Sequence, residues 1–540
     1  METKKLADDF SAAGQVSVAE IADVAAAGFK SIICNRPDGE ASGQPAFAEI
    51  AAAAEAHGLQ SRYIPVVPGQ IGASDVKAFR AAANELPKPV LAYCRTGTRS
   101  ANLWSMALTG GAGSPGAVVS NRSRDTTAAS RRHDIVVVGG GAGGIATAAS
   151  LLARDRNLDI AIIEPADTHY YQPGWTMVGA GIFDAPSTAR RMASVMPGRV
   201  TWIKGAVAAF EPDSNAVVLE DKTRVVYKHL VVCPGIKLDW AGVEGLEQTL
   251  GKNGVTSNYR YDLAPYTWQL VQELRAGPAI FTQPPMPIKC AGAPQKAMYL
   301  SADHWHRNGR LKDISVGFYN AGGVLFGVAD YVPALMEYVK RYDAALNFNH
   351  NLTAIDGPGK KAYFARTAPD GTKSAVAADF AMIHVCPPQM APDFIRSSPL
   401  AEASGWVDVD QGTLRHKRYQ NIFALGDAGS TPNAKTAAAA RKQAPIVAEN
   451  LIADRCQRPA PANYNGYGSC PLTVERGKIV LAEFGYGGTL LPTFPRAIID
   501  GLKPSRTAWW LKERILPPVY WKAMLKGREW LAKPKIGGGT

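Results

Sequence analysis

Short apolar runs alternate with alanine-rich amphipathic stretches along most of the chain, which predicts strands and helices in turn. In the first 110 residues, Lys30–Cys34 (KSIIC), Ser61–Val67 (SRYIPVV) and Val90–Tyr93 read as strands. Helices are predicted from Val18, over Phe47–His57 and Asp75–Leu86, and from Ser100. That alternation is α/β order with a parallel sheet. A second alternation begins at His133. His133–Val138 and Ile160–Ile163 read as buried strands around an Ala-rich helix. Ile314–Tyr319 and the run Gln420–Asp427 are later strands, and Thr436–Leu451 a helix. Between the two alternations, Thr109 to Ser130 is rich in Gly, Ser, Thr and Ala and has no apolar period, so residues 111–131 are expected to be a flexible linker. At the far end, Ala508–Leu516 and Val519–Leu531 predict two amphipathic helices broken at Pro517-Pro518.

Composition narrows the class. With 46% hydrophobic and 20% charged residues among 540, wholesale disorder is excluded. The 52 Gly and 37 Pro follow no G-X-Y period, which excludes collagen. No apolar run reaches 18 residues, so no spanning helix is expected, and METKKLADDF has no apolar stretch of a secretory signal. Seven scattered cysteines are too few for a disulfide scaffold and point to a reducing compartment with thiol chemistry. Of the net charge of +12, +7 lies in the last forty residues, where nine Lys/Arg face two Glu. Arg122, Arg124, Arg131 and Arg132 fall on the linker without a folded scaffold, so they read as a solvated tether and not as a nucleic-acid site. In the tail, Trp509, Trp510, Tyr520, Trp521 and Trp530 are interleaved with Lys512, Arg514, Lys522, Lys526 and Arg528. That pattern suits the headgroup region of an anionic leaflet.

Three places carry candidate chemistry. The strand Val90–Tyr93 runs into Cys94-Arg95-Thr96-Gly97-Thr98-Arg99 and then a helix. Converging backbone N–H groups at such a turn lower a thiol pKa and hold an anion, and Arg99 adds a fixed charge with a planar donor fork. Second, Gly139, Gly141 and Gly144 fit G-x-G-x-x-G between a strand and a helix, and Glu164 ends the next strand twenty residues past Gly144, where a carboxylate takes ribose hydroxyls. Third, Cys290 and Cys470 each lie beside Gly and Pro, which places them on turns. Cys34, Cys233 and Cys456 read as packed or idle thiols, and His169 and His384 as structural histidines. Cys386 reads as a packed thiol with active-site lining as its alternative, and Lys289 and Lys435 as candidate anion stabilisers.

The Cys94 loop, with four residues between Cys94 and Arg99, resembles the rhodanese sulfurtransferase loop, whereas tyrosine-phosphatase loops have five. Together with Ser11–Gln15 and Asn35-Arg36-Pro37-Asp38-Gly39-Glu40, it makes residues 1–110 similar to a small family with a phosphatase-like fold. A shorter loop suits a terminal sulfur better than a phosphate, and only Asp38 and Asp75 are candidate general acids, so sulfur transfer is expected over phosphate hydrolysis.

The Gly426-Asp427 strand end resembles that of two-dinucleotide-domain flavoproteins, in which this aspartate binds the FAD ribitol and the following helix N-terminus faces the flavin. No glycine triplet fits after Ile314–Tyr319, so the inserted domain is expected to be a degenerate nucleotide site that does not take NAD(P)H. From about Asp134 to Gly527 the chain resembles the sulfide:quinone oxidoreductases of the type also found in mitochondria. The resemblance rests on Tyr171–Gly181, Pro287–Lys296 around Cys290, Gly405–Asp410, Lys435–Ala439, Tyr467–Leu472 around Cys470 and Leu481–Phe484. It implies a redox-active Cys290–Cys470 pair beside the flavin, with the sulfane sulfur carried on Cys470 and Cys290 passing electrons to the flavin. It also implies Gln172 and Lys435 at the cofactor and a C-terminus that reaches the bilayer.

The expected fold is α/β: a phosphatase-like domain (1–110), a linker (111–131), an FAD domain in two parts (132–245 and 391–495), an inserted degenerate nucleotide-binding domain (246–390) and an amphipathic tail (496–540). The expected function is FAD-dependent oxidation of sulfide, with electrons to quinone and sulfur passed through Cys94 to a small acceptor such as glutathione or sulfite. The expected location is cytoplasmic, on the inner face of a membrane. No metal ligands are assigned. The alternatives are a flavin-dependent thiol or persulfide oxidoreductase with a protein phosphatase-like domain, and a redox sensor without turnover.

Overall fold

The computed structural model describes residues 3–40, 43–66, 73–95, 97–109 and 130–536. Most of the predicted linker lies outside the described residues. The chain divides into two compact units, Met1–Ser123 and Arg124–Thr540.

In the first unit, Ser31–Cys34 and Val90–Tyr93 are buried along their whole length and form the centre of a five-stranded sheet. Gln60–Tyr63 extends it on one side in parallel. On the other side lies an antiparallel hairpin, Thr3–Ala7 with Phe10–Ala13, which the sequence pattern did not signal because lysines and small residues dilute its apolar alternation. Helices Ile21–Ala26 and Phe47–Ala56 cover one face. Helices Ala73–Glu85 and Thr98–Thr109 cover the other. The active loop therefore emerges at the carboxyl ends of buried parallel strands, where α/β sheets place their sites.

The second unit has two parallel cores. The first is a seven-stranded sheet centred on Ser130–Val138 and Arg224–Val232, to which Ile422–Ala424 returns as a parallel neighbour of Leu230–Val232. Helices Ala142–Arg154 and Ala437–Arg455 pack together over it. The second core is a five-stranded sheet ordered Val255–Thr256, Met382–His384, Gly277–Gln283, Ile314–Asn320, Ala345–Phe348. Its first long strand–helix unit is Gly277–Gln283 followed by Ala293–Arg307, and the loop between them holds Cys290. After Ile314–Asn320, where the sequence has no glycine triplet, Ala321–Val328 intervene before the next helical turn.

Two sequence expectations are corrected here. Cys470 is not on a turn. It lies in the strand Gly468–Glu475, which among the described residues pairs only with Lys478–Phe484, so Pro471 deprives no further described strand of a hydrogen bond. This ribbon packs on helix Ala293–Arg307 and the second core. Nor do the tail helices break at Pro517-Pro518. Helical structure runs from Arg506 to Lys526, through the wide turns Leu511–Ile515 and Val519–Ala523. A turn that bonds five residues back changes which carbonyls need a donor, and so accommodates residues lacking an N–H. Trp509, Tyr520, Met524 and Leu525, expected on a lipid-facing side, are buried against the two cores. Trp510, Trp530, Leu531 and Ile536 remain exposed. Among the described residues no helix is long and apolar enough to cross a membrane.

Candidate functional site

A cavity of about 520 Å³ opens in the second unit between the Gly-rich turn, the Cys290 loop and the tail. The turn is built as the fingerprint requires. A Cβ on Gly139 would lie 2.6 Å from the Cys233 carbonyl oxygen, and one on Gly144 only 1.9 Å from that of Gly139. At Gly141 nothing lies within 4 Å of the same position, which leaves the main chain open to the cavity. Glu164 accepts from Gly140 N (2.8 Å) and Ala166 N (2.8 Å) and lines the same space.

Gly426 N donates to Gln443 Oε1 (2.8 Å), which fixes the strand end so that Asp427 faces the cavity. Burial raises the Asp427 carboxyl above its ordinary value. Lys435 Nζ donates to the carbonyls of Asp427 (2.8 Å) and Gly429 (2.9 Å) and lies 4.0 Å from the centre of the Trp406 ring. Burial lowers this ammonium to about 8. Gln172 accepts from Lys289 Nζ (2.7 Å) at the cavity wall. Asn258 Oδ1 and Nδ2, Trp175 Nε1 and Thr176 Oγ1 are buried without a protein partner, and all three residues line the cavity. Orphaned polar atoms, an open Gly141 and a helix N-terminus together fit a flavin-type dinucleotide cofactor.

The thiols meet at this cavity. Cys290 Sγ and Cys470 Sγ are 3.4 Å apart, and both are free. Cys290 takes a left-handed backbone (φ +53°) and donates its N–H to the Lys435 carbonyl (2.8 Å), which ties the loop to the flavin-side strand end. Lys296, in the first turn of the following helix, donates to Cys290 Sγ (3.1 Å). The hydrogen bond from Cys470 and the Lys296 charge hold the Cys290 thiol well below the ordinary thiol value, against the burial that would raise it. The same hydrogen bond and burial push Cys470 well above it. Lys512 of the tail is buried, not a headgroup-facing cation. Burial and the nearby Lys296 charge lower it to about 7, while both sulfurs oppose that shift.

The remaining candidates separate. Cys386 is buried, receives Gln389 Nε2 at 3.6 Å, and is pushed by burial to about 12. Cys233 packs beneath the Gly-rich turn, and Cys456 is exposed. His169 is engaged by Tyr520 Oη (2.6 Å) and the Gly140 carbonyl (3.1 Å), and His384 Nε2 accepts from Asn258 N (2.8 Å), so both are structural. Sequence reasoning missed Lys296 and Lys512. For Lys296 the usable signal is its place in the first turn of the helix that Cys290 precedes. For Lys512 there is no local signal.

In the first unit, Cys94 is buried at the end of its strand, and Gly97 takes φ +81° before the helix Thr98–Thr109. Arg99 donates to Glu40 (2.7 Å) and the Asn35 carbonyl (3.0 Å), and Arg36 donates to Glu40 (2.7 Å) and Gln15 (2.7 Å). Glu40 thus joins both guanidiniums, and its carboxyl lies below the ordinary value because those charges outweigh its burial. Asp38 accepts from Phe47 N (2.8 Å) at the start of a helix, a capping role. Cys34 is buried and donates to the Arg36 carbonyl (3.3 Å).

Residues 133–267 match the pyridine nucleotide-disulphide oxidoreductase family, and residues 2–111 match the phosphatase-like domain of the beta-lactamase hydrolase-like proteins. A mitochondrial sulfide:quinone oxidoreductase of Dictyostelium discoideum is 42% identical over 377 residues, covering 69% of this chain and 81% of that protein. The mitochondrial protein of the same name from Mus musculus is 38% identical over 370 residues, covering 68% and 81%. A beta-lactamase hydrolase-like protein of Agrobacterium fabrum is 38% identical over 104 residues, 19% of this chain and 24% of that one. The solved sulfide:quinone oxidoreductase of Aquifex aeolicus shares the fold at a TM-score of 0.60 and 21% identity, over 74% of this chain and 92% of that one.

Proposed function

The chain belongs to the sulfide:quinone oxidoreductase family, and from that premise we propose that it oxidises sulfide to protein-bound sulfane sulfur, with FAD as the flavin and quinone as the electron acceptor. In the oxidised enzyme Cys290 and Cys470 form a disulfide. Sulfide attacks Cys470 Sγ, the S–S bond breaks, a persulfide remains on Cys470, and Cys290 leaves as a thiolate. Lys296 makes that departure easier by hydrogen-bonding the sulfur that gains the charge. The flavin, when bound, accepts the two electrons and passes them to quinone. The outer sulfur leaves Cys470 for an acceptor thiol or a second sulfide, and the return of the two thiols so released to the disulfide supplies the single electron pair of the turnover, with two protons lost to water. Gly139, Gly141, Gly144, Glu164, Gln172, Asp427 and Lys435 hold the cofactor in this reading, with Lys435 acting through the strand end it clamps.

The observation that carries the reading is the 3.4 Å approach of two free thiols 180 residues apart, with Lys296 at 3.1 Å from Cys290, where Cys290 and Lys296 line the cavity that the Gly-rich turn enters. Anaerobic titration of the flavin spectrum with sulfide, followed by decylubiquinone, tests it. Bleaching by sulfide and recovery with quinone are expected, and a flavin that sulfide leaves oxidised removes the reading.

Cys94 then receives sulfur and passes it to a small acceptor. Sulfur is favoured over phosphate because both arginines near the loop are already engaged by Glu40, so a doubly charged phosphate would have to displace a carboxylate. Quinone is a lipid, and the exposed Ile498, Trp510, Trp530 and Leu531 beside exposed cations of the tail provide a surface for peripheral contact with a membrane.

A further inference from the structure

The cavity has an apolar wall that the thiol chemistry does not use, formed by Leu481, Phe494, Leu511, Leu516, Val519 and Met524. Set into the same lining are Tyr467, Glu483 and Thr493. Glu483 is only 5% exposed. Its Oε1 accepts from Tyr467 Oη (2.6 Å) and from Thr493 Oγ1, and its Oε2 accepts from Thr493 N (3.0 Å). Tyr467 Oη and Thr493 Oγ1 are 3.1 Å apart. Among the described residues no Lys or Arg lies within ion-pair distance of Glu483, so this carboxyl is held by neutral donors in a largely apolar pocket. The groups facing the pair are Lys442 and Arg441 of helix Ala437–Arg455 and Tyr331 of the turn Ala329–Tyr331. Lys442 Nζ lies 5.3 Å from the Tyr467 ring centre and donates to the Leu531 carbonyl, Arg441 donates to the Trp530 carbonyl, and Tyr331 Oη donates to the Glu483 carbonyl oxygen (3.0 Å).

Resting on the proposed function, and taking the apolar wall of this cavity as the place where quinone lies, we propose that Tyr467 and Glu483 deliver the protons that quinone reduction consumes. Quinone becomes quinol by taking up two electrons and two protons. The electrons come from the flavin under the proposed activity. For each proton, the Tyr467 O–H bond breaks as an O–H bond forms on a quinone oxygen. The tyrosine oxygen is then reprotonated through Glu483, whose carboxylate takes a proton from bulk water and passes it on. Burial and the neighbouring Glu483 raise Tyr467 above the ordinary phenol value, so the hydroxyl keeps its proton until quinone draws it. Thr493 positions the carboxyl through both of its oxygens. A buried carboxyl and a phenol in contact, on the wall of a redox pocket, form a short relay of the kind that general acid catalysis needs.

The test uses the full-length, flavin-loaded enzyme in anaerobic stopped flow, with decylubiquinone as the probe. Glu483→Gln keeps the shape but cannot cycle a proton, Glu483→Asp keeps the carboxyl, and Tyr467→Phe removes the hydroxyl. Flavin reduction by sulfide serves as the internal control for folding and cofactor loading. Reoxidation by decylubiquinone is expected to slow about 100-fold in Glu483→Gln, the size of a general-acid contribution. It should also slow in Tyr467→Phe and recover in large part in Glu483→Asp. The wild-type reoxidation rate should fall with rising pH and show a solvent deuterium isotope effect, and Glu483→Gln should lose both. Binding of decylubiquinone to the oxidised enzyme should be unchanged. Wild-type reoxidation rates and pH dependence in Glu483→Gln, or a defect found entirely in binding, would overturn the relay. A wild-type enzyme that sulfide reduces but decylubiquinone does not reoxidise would instead remove the quinone reading, and the relay with it.

Discussion

At the scale of single residues, the site depends on two sulfurs in unequal states. The hydrogen bond shared with Cys470 and Lys296 at 3.1 Å hold the Cys290 thiol well below its ordinary pKa, while the same bond and burial push Cys470 above it. The left-handed backbone of Cys290 costs about 1–2 kcal/mol for a residue with a Cβ. The bond from its N–H to the Lys435 carbonyl helps to hold it there. Cys290→Ser and Cys470→Ser should each lower sulfide-dependent quinone reduction by about a thousandfold or more with the flavin still bound, because a hydroxyl cannot enter a disulfide relay. Cys386→Ser should keep near-wild-type turnover, since that thiol is buried and protonated. A dead Cys386→Ser with an active Cys470→Ser would mean that the wrong thiols have been paired. Lys296 gives a pH test. A thiol whose pKa is lowered keeps its reactive thiolate form as pH falls below the ordinary thiol range. In Lys296→Met the Cys290 pKa rises, so alkylation of Cys290 in the reduced enzyme by iodoacetamide should be slower below neutral pH and the midpoint of its pH–rate profile should move up. An unchanged rate would show that the lysine does not set the thiolate.

At the scale of elements, what the chain reveals depends on whether the signal is local. The strand Ile160–Ile163 and the glycine turn are legible because four consecutive apolar residues and three spaced glycines need no distant partner to be recognised. Cys290 and Cys470 were paired through family resemblance, since nothing in either segment points to the other. Their meeting depends on the ribbon Gly468–Phe484 docking on helix Ala293–Arg307, a tertiary event. The tail is the clearest case. Its cations and aromatics gave an amphipathic pattern, but pattern alone does not say which face meets protein and which meets lipid. Tyr520 bonds His169 and Lys512 enters the thiol cavity, so truncation after Lys503 would remove part of the site along with any membrane surface. The sharper test is to neutralise exposed cations. Changing Arg506, Lys522 and Lys526 to Gln should weaken binding to phosphatidylserine-containing vesicles by about 3 kcal/mol, at about 1 kcal/mol per charge. Reduction of long-chain quinones should suffer more than that of short soluble ones, while bleaching of the flavin by sulfide is retained. Vesicle binding that ignores these charges would exclude the tail as an electrostatic anchor.

At the scale of the whole molecule, one chain joins a sulfide:quinone oxidoreductase unit to an N-terminal unit whose Cys94 follows a buried strand. In the proposed reaction the flavin unit's product is a sulfur on Cys470, and no further turnover is possible until it leaves. The N-terminal unit offers Cys94 at the carboxyl end of its sheet, ahead of the helix Thr98–Thr109. Having both on one chain fixes their ratio at one to one and makes the transfer independent of protein concentration. Cys94→Ser in the full-length chain should therefore leave the first flavin reduction by sulfide unchanged but slow steady-state sulfur transfer to sulfite, cyanide or glutathione. Adding an equal amount of Cys470→Ser chain, which has an intact Cys94 but makes no persulfide, should restore output only as concentration rises, whereas the wild-type specific rate stays flat on dilution. Phosphatase activity with no sulfur transfer would assign Cys94 to phosphate chemistry. Sulfur output that ignores Cys94→Ser would make the two units independent activities on one chain.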